Sequence, residues 1–272
     1  GHRVVLTHGN GPQVGYILRR SELVEGMPEA EGIPRVSLWM AGANSQGGIG
    51  HLLCLGIDNA LARRGIDMRA IGILTNTEVL SDDPAFAAPT KPIGPVFDAE
   101  VARAHRDEGW AVAKTSGGFR RLVASPRPHS ILEAEKVRHF MDYPAVIVAG
   151  GGGGVPVVAT DEGWQPVDAV IDKDYTSALL AAELGIDTLI LVTSVEHVYA
   201  GFGTEDQRRL DEVSAAEMRS LYEAGEFPPG SMGPKVDAAL QFLAAGGGQA
   251  IITSLQNITQ ALSGNGGTRI TA

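Results

Sequence analysis

The stretch Ala145-Val146-Ile147-Val148-Ala149-Gly150-Gly151-Gly152-Gly153-Gly154 joins an uninterrupted apolar run to five consecutive glycines. The apolar half is typical of a strand buried on both faces, as in a parallel sheet covered by helices. A turn needs only one or two residues with positive φ, so five glycines exceed what a connection requires. The glycine run therefore predicts a bare backbone surface that lies against a charged ligand, with a flexible linker as the alternative.

Other apolar runs alternate with helical patterns on both sides of this stretch. Strands are predicted at residues 3–7, 69–74, 188–192 and 249–253, and helices at 37–64, 131–141, 175–184, 215–224 and 234–245. This alternation predicts an α/β fold with a mainly parallel central sheet. Ligands bind beyond the carboxyl ends of the strands in such sheets, so the residues that follow each strand are the candidates for a functional site.

Residues 78–128 have a different texture, with many prolines and short alternating runs. This pattern predicts a small lobe of hairpins inserted within a single domain that spans residues 1–272. Long helical patterns are rare in this segment, so we expect mainly strands there.

The composition excludes several classes of protein. The 272 residues carry a net charge of −10 and contain no basic run longer than two residues, which argues against general binding to nucleic acid or to a membrane surface. No apolar stretch approaches the roughly 20 residues that a membrane-spanning helix needs, and no secretory leader is found. The single cysteine, Cys54, excludes a disulfide framework within the chain and fits a cytoplasmic location. It lies in a helical apolar pattern, so we expect an inert core residue.

Two charged or glycine-bearing segments stand at the end of apolar stretches, the first of them a predicted strand. The first is His8-Gly9-Asn10-Gly11-Pro12-Gln13-Val14-Gly15. Its glycines allow backbone N–H groups to approach a phosphate at a helix N-terminus, with an ordinary tight turn as the alternative. The second is Val170-Ile171-Asp172-Lys173-Asp174. Either Asp172 or Asp174 caps the next helix, or Lys173, oriented by Asp174, supplies positive charge to a transferring phosphoryl group.

The segment Gly230-Ser231-Met232-Gly233-Pro234-Lys235 opens another predicted helix, and its proline suits the first turn. The structural interpretation takes Ser231 as the cap of this helix and Lys235 as a solvated charge. A lysine in the first turn opposes the helix dipole, however, and this cost favours an anionic ligand nearby. Neither a Gly-x-x-x-x-Gly-Lys-Ser/Thr loop nor a dinucleotide-binding Gly-x-Gly-x-x-Gly motif occurs, and the scattered histidines do not predict a zinc site.

Taken together, these segments resemble the carbamate kinase family of the amino-acid kinase superfamily. The resemblance rests on a set of motifs that follow the family's order across nearly the whole chain. They are residues 8–15, Ser45-Gln46-Gly47, Asp83-Pro84-Ala85-Phe86, Thr90-Lys91-Pro92-Ile93-Gly94-Pro95, Arg120-Arg121-Leu122-Val123-Ala124-Ser125-Pro126, Gly150–Gly154, Ala169–Asp174 and Gly230–Val236.

This resemblance implies a three-layer αβα sandwich with a protruding lobe, paired as a homodimer. The implied reaction is reversible phosphoryl transfer between carbamoyl phosphate and ADP, which gives ATP and carbamate; carbamate then decomposes to ammonia and carbon dioxide. Mg²⁺ would be bound through the phosphates of ATP or ADP, without a metal site made of protein side chains.

Site residues are implied by the same resemblance. Lys173 and Lys235 would neutralise the phosphoryl group, Asp174 would orient them, and Lys91 would reach over the substrate from the lobe. The substrate and its phosphate would be held by Gly9, Asn10, Gly11, Gly151, Gly152 and Gly153. The nucleotide would contact Thr193, Val195, Tyr199, Phe202, Ser231, Met232 and Gly233.

One family feature has no counterpart in this chain, namely a first strand that ends in a Gly-Gly-Asn turn. We expect that this beginning is omitted rather than lost, because the other site residues are intact. The alternatives to a carbamate kinase are a related kinase that forms the acylphosphate of another small acid, and a nucleotide-binding remnant without catalysis.

Overall fold

The computed structural model describes residues 2–115, 117–228 and 230–272. The chain divides into two compact units, residues 1–173 and 174–272. Within the described ranges, none of the helices combines the length and apolar character that crossing a membrane requires.

The described residues of the first unit form ten strands and four α-helices. In chain order they are β1 (Val4–Leu6), α1 (Gly11–Val24), α2 (Leu38–Arg63), β2 (Arg69–Gly72), β3 (Asn76–Glu78), β4 (Lys91–Phe97), α3 (Ala99–Asp107), β5 (Val112–Thr115), β6 (Gly118–Val123), β7 (Ser130–Ile131), α4 (Ala134–Phe140), β8 (Ala145–Val148), β9 (Val155–Thr160) and β10 (Gly163–Pro166).

A parallel three-stranded sheet with the order β1-β8-β2 places the carboxyl ends of three strands at one edge. Leu6 and Gly72 both pair with Val148 at that edge. The strand β8 is central and largely buried because all four of its residues are apolar. The turn after β1 and the glycine run after β8 therefore leave the same edge of the sheet.

A second sheet with the order β10-β9-β3-β7 follows the glycine run. Its strands β3 and β9 are parallel, and the other two pairs are antiparallel. The glycine run thus connects β8 of the first sheet directly to β9 of the second.

Residues 78–128, which the sequence assigns to a lobe of hairpins, contain the antiparallel sheet β4-β6-β5 and the helix α3. The nine-residue helix α3 was not predicted, although the three strands together hold more residues of this segment than the helix does. The helix begins after Asp98, whose carboxylate accepts hydrogen bonds from the N–H groups of Glu100 and Val101. The bounds of the lobe stay a prediction.

Helix α5 (Lys173–Leu184) begins at the last residue of the first unit and continues into the second. The elements that follow it are β11 (Thr188–Thr193), β12 (Val198–Ala200), β13 (Arg208–Leu210), β14 (Glu212–Ser214), α6 (Ala215–Glu223), α7 (Met232–Ala244), β15 (Gln249–Ser254), α8 (Ile258–Leu262) and β16 (Thr268–Thr271).

The sheet β11-β15-β16-β14 of this unit combines parallel and antiparallel pairs. The strands β11 and β15 are parallel, β15 and β16 are antiparallel, and β12 and β13 form a separate antiparallel pair. A buried apolar cluster of this unit includes Leu191, Ile252, Leu240 and Phe242. The α/β class with parallel strands is confirmed.

Candidate active site

The turn after β1 brings several predicted site residues of the first unit together. Asn10 precedes α1, but its side chain does not cap that helix; its Nδ2 instead donates to Oγ of Ser45 on α2 at 2.8 Å. A Cβ at Gly9 would lie 3.2 Å from Cδ of Lys173, so the aliphatic part of Lys173 lies over this turn. Gly11 begins α1 and is exposed, and no described atom lies within 4 Å of the position that its Cβ would occupy.

Residues 150–154 form a tight and largely buried turn rather than a linker. Four of the five glycines have φ values from 64° to 95°, a region that favours glycine. The N–H of Gly152 donates to the carbonyl oxygen of His8 at 2.6 Å, and the N–H groups of Gly153 and Gly154 donate to carbonyls of the run itself. The interpretation as a flexible linker is therefore wrong.

These glycines have no room for side chains. A Cβ at Gly151 would overlap the imidazole of His8, and a Cβ at Gly152 would overlap the amide of Asn10. The turn after β1 therefore packs directly on the glycine run. Protein neighbours, rather than a ligand, account for the missing side chains at these two positions, and the binding roles of Gly151, Gly152 and Gly153 stay predictions.

Lys91 is the first residue of β4, and its Nζ lies 2.6 Å from Oδ2 of Asp172. The side chain of Lys91 is partly exposed, whereas that of Asp172 is mostly buried. The sequence suggested only a capping role for Asp172, so its contact with Lys91 was missed.

The two arginines of β6 support the strand that carries Lys91. Nε of Arg120 donates to the carbonyl of Gly94 on β4 at 3.2 Å. The guanidinium of Arg121 lies 4.3 Å from the centroid of the Trp110 ring, and burial lowers the pKa of this guanidinium from its usual value. The position of a Cβ at Gly15 of α1 would be 3.0 Å from Cα of Gly94, so α1 also packs closely on β4. Contacts from α1 and β6 thus fix the backbone that presents Lys91.

In the second unit, Nζ of Lys235 lies 2.8 Å from Oδ2 of Asp174. Their side chains are only 13% and 7% exposed, so the interpretation of Lys235 as a solvated charge is wrong. Ser231 precedes α7 but makes no capping hydrogen bond with its side chain. Asp174 supplies the negative charge that compensates for Lys235 near the positive end of the α7 dipole. The sequence led us to expect this compensation from an anionic ligand.

A second contact joins the same two helices next to this ion pair. The hydroxyl of Tyr175 on α5 donates to Oδ2 of Asp237 on α7 at 2.9 Å. The two links are one residue apart on α5 and two residues apart on α7, so they fix the first turn of α7 and with it Lys235. Sequence reasoning identified neither Tyr175 nor Asp237.

The residues predicted to contact a nucleotide also lie in the second unit. Thr193 ends β11, Val195 follows it and Tyr199 lies on β12. Phe202 is 65% exposed, and its ring centroid lies 6.2 Å from that of Tyr199. Ser231 precedes α7, which Met232 and Gly233 open. Nucleotide binding by these residues stays a prediction.

A cavity of about 360 Å³ lies beside the turn after β1. His8, Gln46, Gly151 and Cys54 are among the residues that line it. Cys54 is partly exposed rather than fully buried, which contradicts the prediction of a core residue. Burial, together with the negative charge of Asp58, raises the pKa of its thiol, so the thiol is protonated at neutral pH.

Sequence reasoning quoted Ser45 and Gln46 as part of a motif but gave them no role, and it missed Thr75. All three side chains are buried. The available signal was the polar run Asn44-Ser45-Gln46 within α2, a helix that is otherwise mainly apolar or glycine along this stretch. A buried serine and a buried glutamine need hydrogen-bond partners. Ser45 accepts a hydrogen bond from Asn10 in the turn after β1, and Gln46 bonds to Thr75, which in turn accepts from Gly150 at the start of the glycine run.

The model of the amino acid kinase family matches residues 1–254. The chain is 43% identical over 272 residues to the carbamate kinase of Pyrococcus furiosus, a match that covers 99% of this chain and 86% of that protein. It is 46% identical over 273 residues to the carbamate kinase-like protein YahI of Escherichia coli, covering 98% of this chain and 84% of that protein.

Solved structures give a concordant result. The carbamate kinase from Giardia lamblia bound to AMP-PNP matches with a TM-score of 0.91 and 37% sequence identity. The match covers 100% of this chain and 85% of that one.

Proposed function

The chain belongs to the amino acid kinase family, and from this premise we propose that it is a carbamate kinase. The enzyme transfers a phosphoryl group reversibly between carbamoyl phosphate and ADP, and the products are ATP and carbamate. The observation that carries this proposal is the 43% identity to the Pyrococcus furiosus carbamate kinase along 99% of the chain.

The reaction moves one phosphoryl group between two oxygens. In the direction that forms ATP, a β-phosphate oxygen of ADP attacks phosphorus while the bond from phosphorus to the carbamate oxygen breaks. Carbamate leaves with the electron pair of that bond and decomposes to ammonia and carbon dioxide after protonation. Such transfers need positioning and neutralisation of charge rather than a covalent intermediate with the protein.

The lysines are the proposed source of positive charge. Lys173 and Lys235 neutralise the oxygens of the phosphoryl group, and Asp174 orients Lys235. The contact of 2.8 Å between Asp174 and Lys235 supports the orienting role, because it fixes the ammonium before substrate binds. The lysine stem over Gly9 supports a role for Lys173 beside the turn after β1.

Lys91 is proposed to contact the substrate after it leaves Asp172. Its ammonium is partly exposed, so an arriving phosphate oxygen has access to it. Asp172 holds the lysine until then, because an ion pair at 2.6 Å restricts a long flexible side chain.

The two turns of the first unit are proposed to hold carbamoyl phosphate through Gly9, Asn10, Gly11 and residues 151–153. The nucleotide is proposed to contact Thr193, Val195, Tyr199, Phe202, Ser231, Met232 and Gly233 of the second unit. In the described ranges, no group of three or more histidine, cysteine, aspartate or glutamate side chains is placed to hold a metal ion. Mg²⁺ is proposed to be bound through the nucleotide phosphates, whose charge it would neutralise in part.

The test mixes purified protein with ADP, Mg²⁺ and carbamoyl phosphate and measures ATP by luciferase. The chain has five lysines, of which Lys114 and Lys136 are exposed and lie outside the proposed site. The variant Lys173→Met is expected to lose at least a hundredfold in kcat, a loss typical of a removed transition-state charge. The matched control Lys136→Met is expected to keep the activity of the parent protein.

The alternatives give different results. Turnover of acetylglutamate or aspartate with ATP that exceeds turnover of carbamoyl phosphate with ADP would indicate a different small-acid kinase. ADP binding by calorimetry without turnover of any substrate, by a chain proven intact by mass against the coding sequence, would indicate a nucleotide-binding remnant. Either result refutes the proposal.

We also propose that two copies pair as a homodimer in the cytoplasm, as the family resemblance implies. Light scattering should give twice the 28.5 kDa of one chain. A mass of one chain at micromolar concentration would contradict the pairing.

A further inference from the structure

Thr75, which lies between β2 and β3, holds both ends of the glycine run. The N–H of Gly150 donates to Oγ1 of Thr75 at 2.8 Å, and the N–H of Val155 donates to the carbonyl oxygen of Thr75 at 2.9 Å. Thr75 is fully buried, with 0% of its surface exposed. Thr75 therefore fixes Gly150, the first glycine of the run, and Val155, the residue after the last glycine.

Gln46 of α2 in turn fixes Thr75 by three hydrogen bonds. Its Oε1 accepts from the N–H of Thr75 at 2.9 Å and from the Thr75 hydroxyl at 2.6 Å, and its Nε2 donates to the Thr75 carbonyl at 3.2 Å. The hydroxyl proton of Thr75 is thus directed at Gln46, which leaves the oxygen free to accept from Gly150. Both side chains are buried, so no solvent competes with these bonds.

The neighbouring residue on α2 acts on the other turn. Ser45 accepts the hydrogen bond from Asn10 and itself donates to the carbonyl of Gly42 at 2.8 Å. The amide of Asn10 occupies the space that a side chain at Gly152 would need. Two adjacent residues of one helix therefore hold the turn after β1 and the glycine run against each other.

We propose that Gln46 and Thr75 are positioning residues for carbamoyl phosphate, an inference that rests on the proposed function. They contact no substrate and act through the backbone of residues 150–154. Binding groups must be held within about 0.5 Å of their productive positions, and a shift of about 1 Å can cost about a hundredfold in rate. A glycine run is intrinsically free to move, so such accuracy requires that its ends be fixed from outside.

The decisive variant is Thr75→Val, which keeps the shape of the side chain and removes the hydroxyl. We expect kcat/KM for carbamoyl phosphate to fall by about tenfold to a hundredfold. The dissociation constant of ADP, measured by calorimetry, should change less than about twofold, because the proposed nucleotide contacts lie in the other unit. Thr75→Ser keeps the hydroxyl and should restore most of the lost activity.

A control separates positioning from simple loss of stability. Val137 of α4 is fully buried in the same unit and lies outside the proposed site, so Val137→Ala destabilises the unit without touching the run. Val137→Ala should leave kcat/KM unchanged at a temperature where it stays folded. If Thr75→Val also leaves kcat/KM unchanged, the role is structural alone and the proposal is refuted.

Hydrogen exchange tests the same inference without turnover. In Thr75→Val, the amide hydrogens of residues 150–155 should exchange at least about tenfold faster than in the parent, whereas Val137→Ala should leave them unchanged. If the parent protein has no activity with carbamoyl phosphate, the proposed function and the substrate assigned to these residues both fail, while the exchange result still decides whether Thr75 fixes the run. If Thr75→Val does not fold, Gln46→Met, which removes all three bonds to Thr75, should produce the same two effects.

Discussion

Removal of the charge of Asp174 is expected to destabilise the protein and not only to impair catalysis. Asp174→Asn keeps an oxygen that accepts a hydrogen bond but leaves Lys235 without its counter-charge. The two groups are 2.8 Å apart, and their side chains are 7% and 13% exposed. The ammonium therefore cannot be rehydrated without movement of the first turn of α7, which the bond between Tyr175 and Asp237 also holds.

The size of the effect follows from distance and burial. Coulomb attraction at this distance amounts to about 6 kcal/mol at an effective dielectric constant of about 20, and the desolvation of both groups offsets part of it. Breaking a buried pair by removal of one partner costs about 3–5 kcal/mol. Asparagine retains one hydrogen bond to the ammonium, so we expect a loss near the lower end, about 3 kcal/mol.

Urea unfolding of a double-mutant cycle measures this loss. Asp174→Asn and Lys235→Met are each expected to be destabilised, and the double variant is expected to be more stable than the sum of the single losses predicts. The exposed pair of Arg208 and Glu217, at 3.1 Å with side chains 58% and 47% exposed, is the control. Glu217→Gln should change stability by less than about 1 kcal/mol. Additive losses at Asp174 and Lys235 would refute the reasoning.

Three further predictions follow from individual contacts. Lys91→Met should lower kcat/KM for carbamoyl phosphate by about tenfold to a hundredfold, whereas the exposed control Lys114→Met should not; equal activities would contradict a role for Lys91. Gly152→Ala places a side chain at a φ of 65° and against the amide of Asn10. Gly163→Ala also has a positive φ, 108°, but no described neighbour within 4 Å. Thermal unfolding should therefore show a larger loss of stability for Gly152→Ala than for Gly163→Ala. Because burial and the negative charge of Asp58 raise the pKa of the Cys54 thiol, alkylation by iodoacetamide should be slow at pH 7.5 and should reach its midpoint at a higher pH than alkylation of an unstructured cysteine peptide followed in parallel by mass spectrometry; an equal or lower midpoint would contradict this prediction.

The apolar strands were the most predictable part of the fold. Continuous apolar residues such as those of β8 and β11 predict strands because few alternatives bury both faces of a short run. Helix α3 was missed because it has nine mainly polar and alanine residues, and its clearest signal is the single capping residue Asp98. The helix predicted at residues 131–141 begins only at Ala134, because Ile131 belongs to β7 and pairs there with Thr77 of β3.

The candidate site was predictable in its charged residues but not in their partners. Glycines at strand ends and lysines at helix starts carry a local signal, so Gly9, Asn10 and Lys173 were identified and do lie together. The partner of Lys91 is 81 residues away in sequence and that of Asn10 is 35 residues away. Such contacts depend on tertiary packing, which no local pattern encodes.

The segment Asp172-Lys173-Asp174 contributes two aspartates that each pair with a lysine far away in sequence. Asp172 binds Lys91, and Asp174 binds Lys235, each within its own unit. A buried or half-buried lysine without a counter-charge would be costly to fold. The two aspartates offset that cost, and they also fix the ammonium groups before substrate arrives. In the proposed reaction, Lys235 would then need little reorganisation when negative charge develops on the phosphoryl group, and such preorganisation is a main source of electrostatic catalysis. A net charge of −10 is therefore compatible with binding a phosphate, because the local placement of a few lysines decides the field at the site.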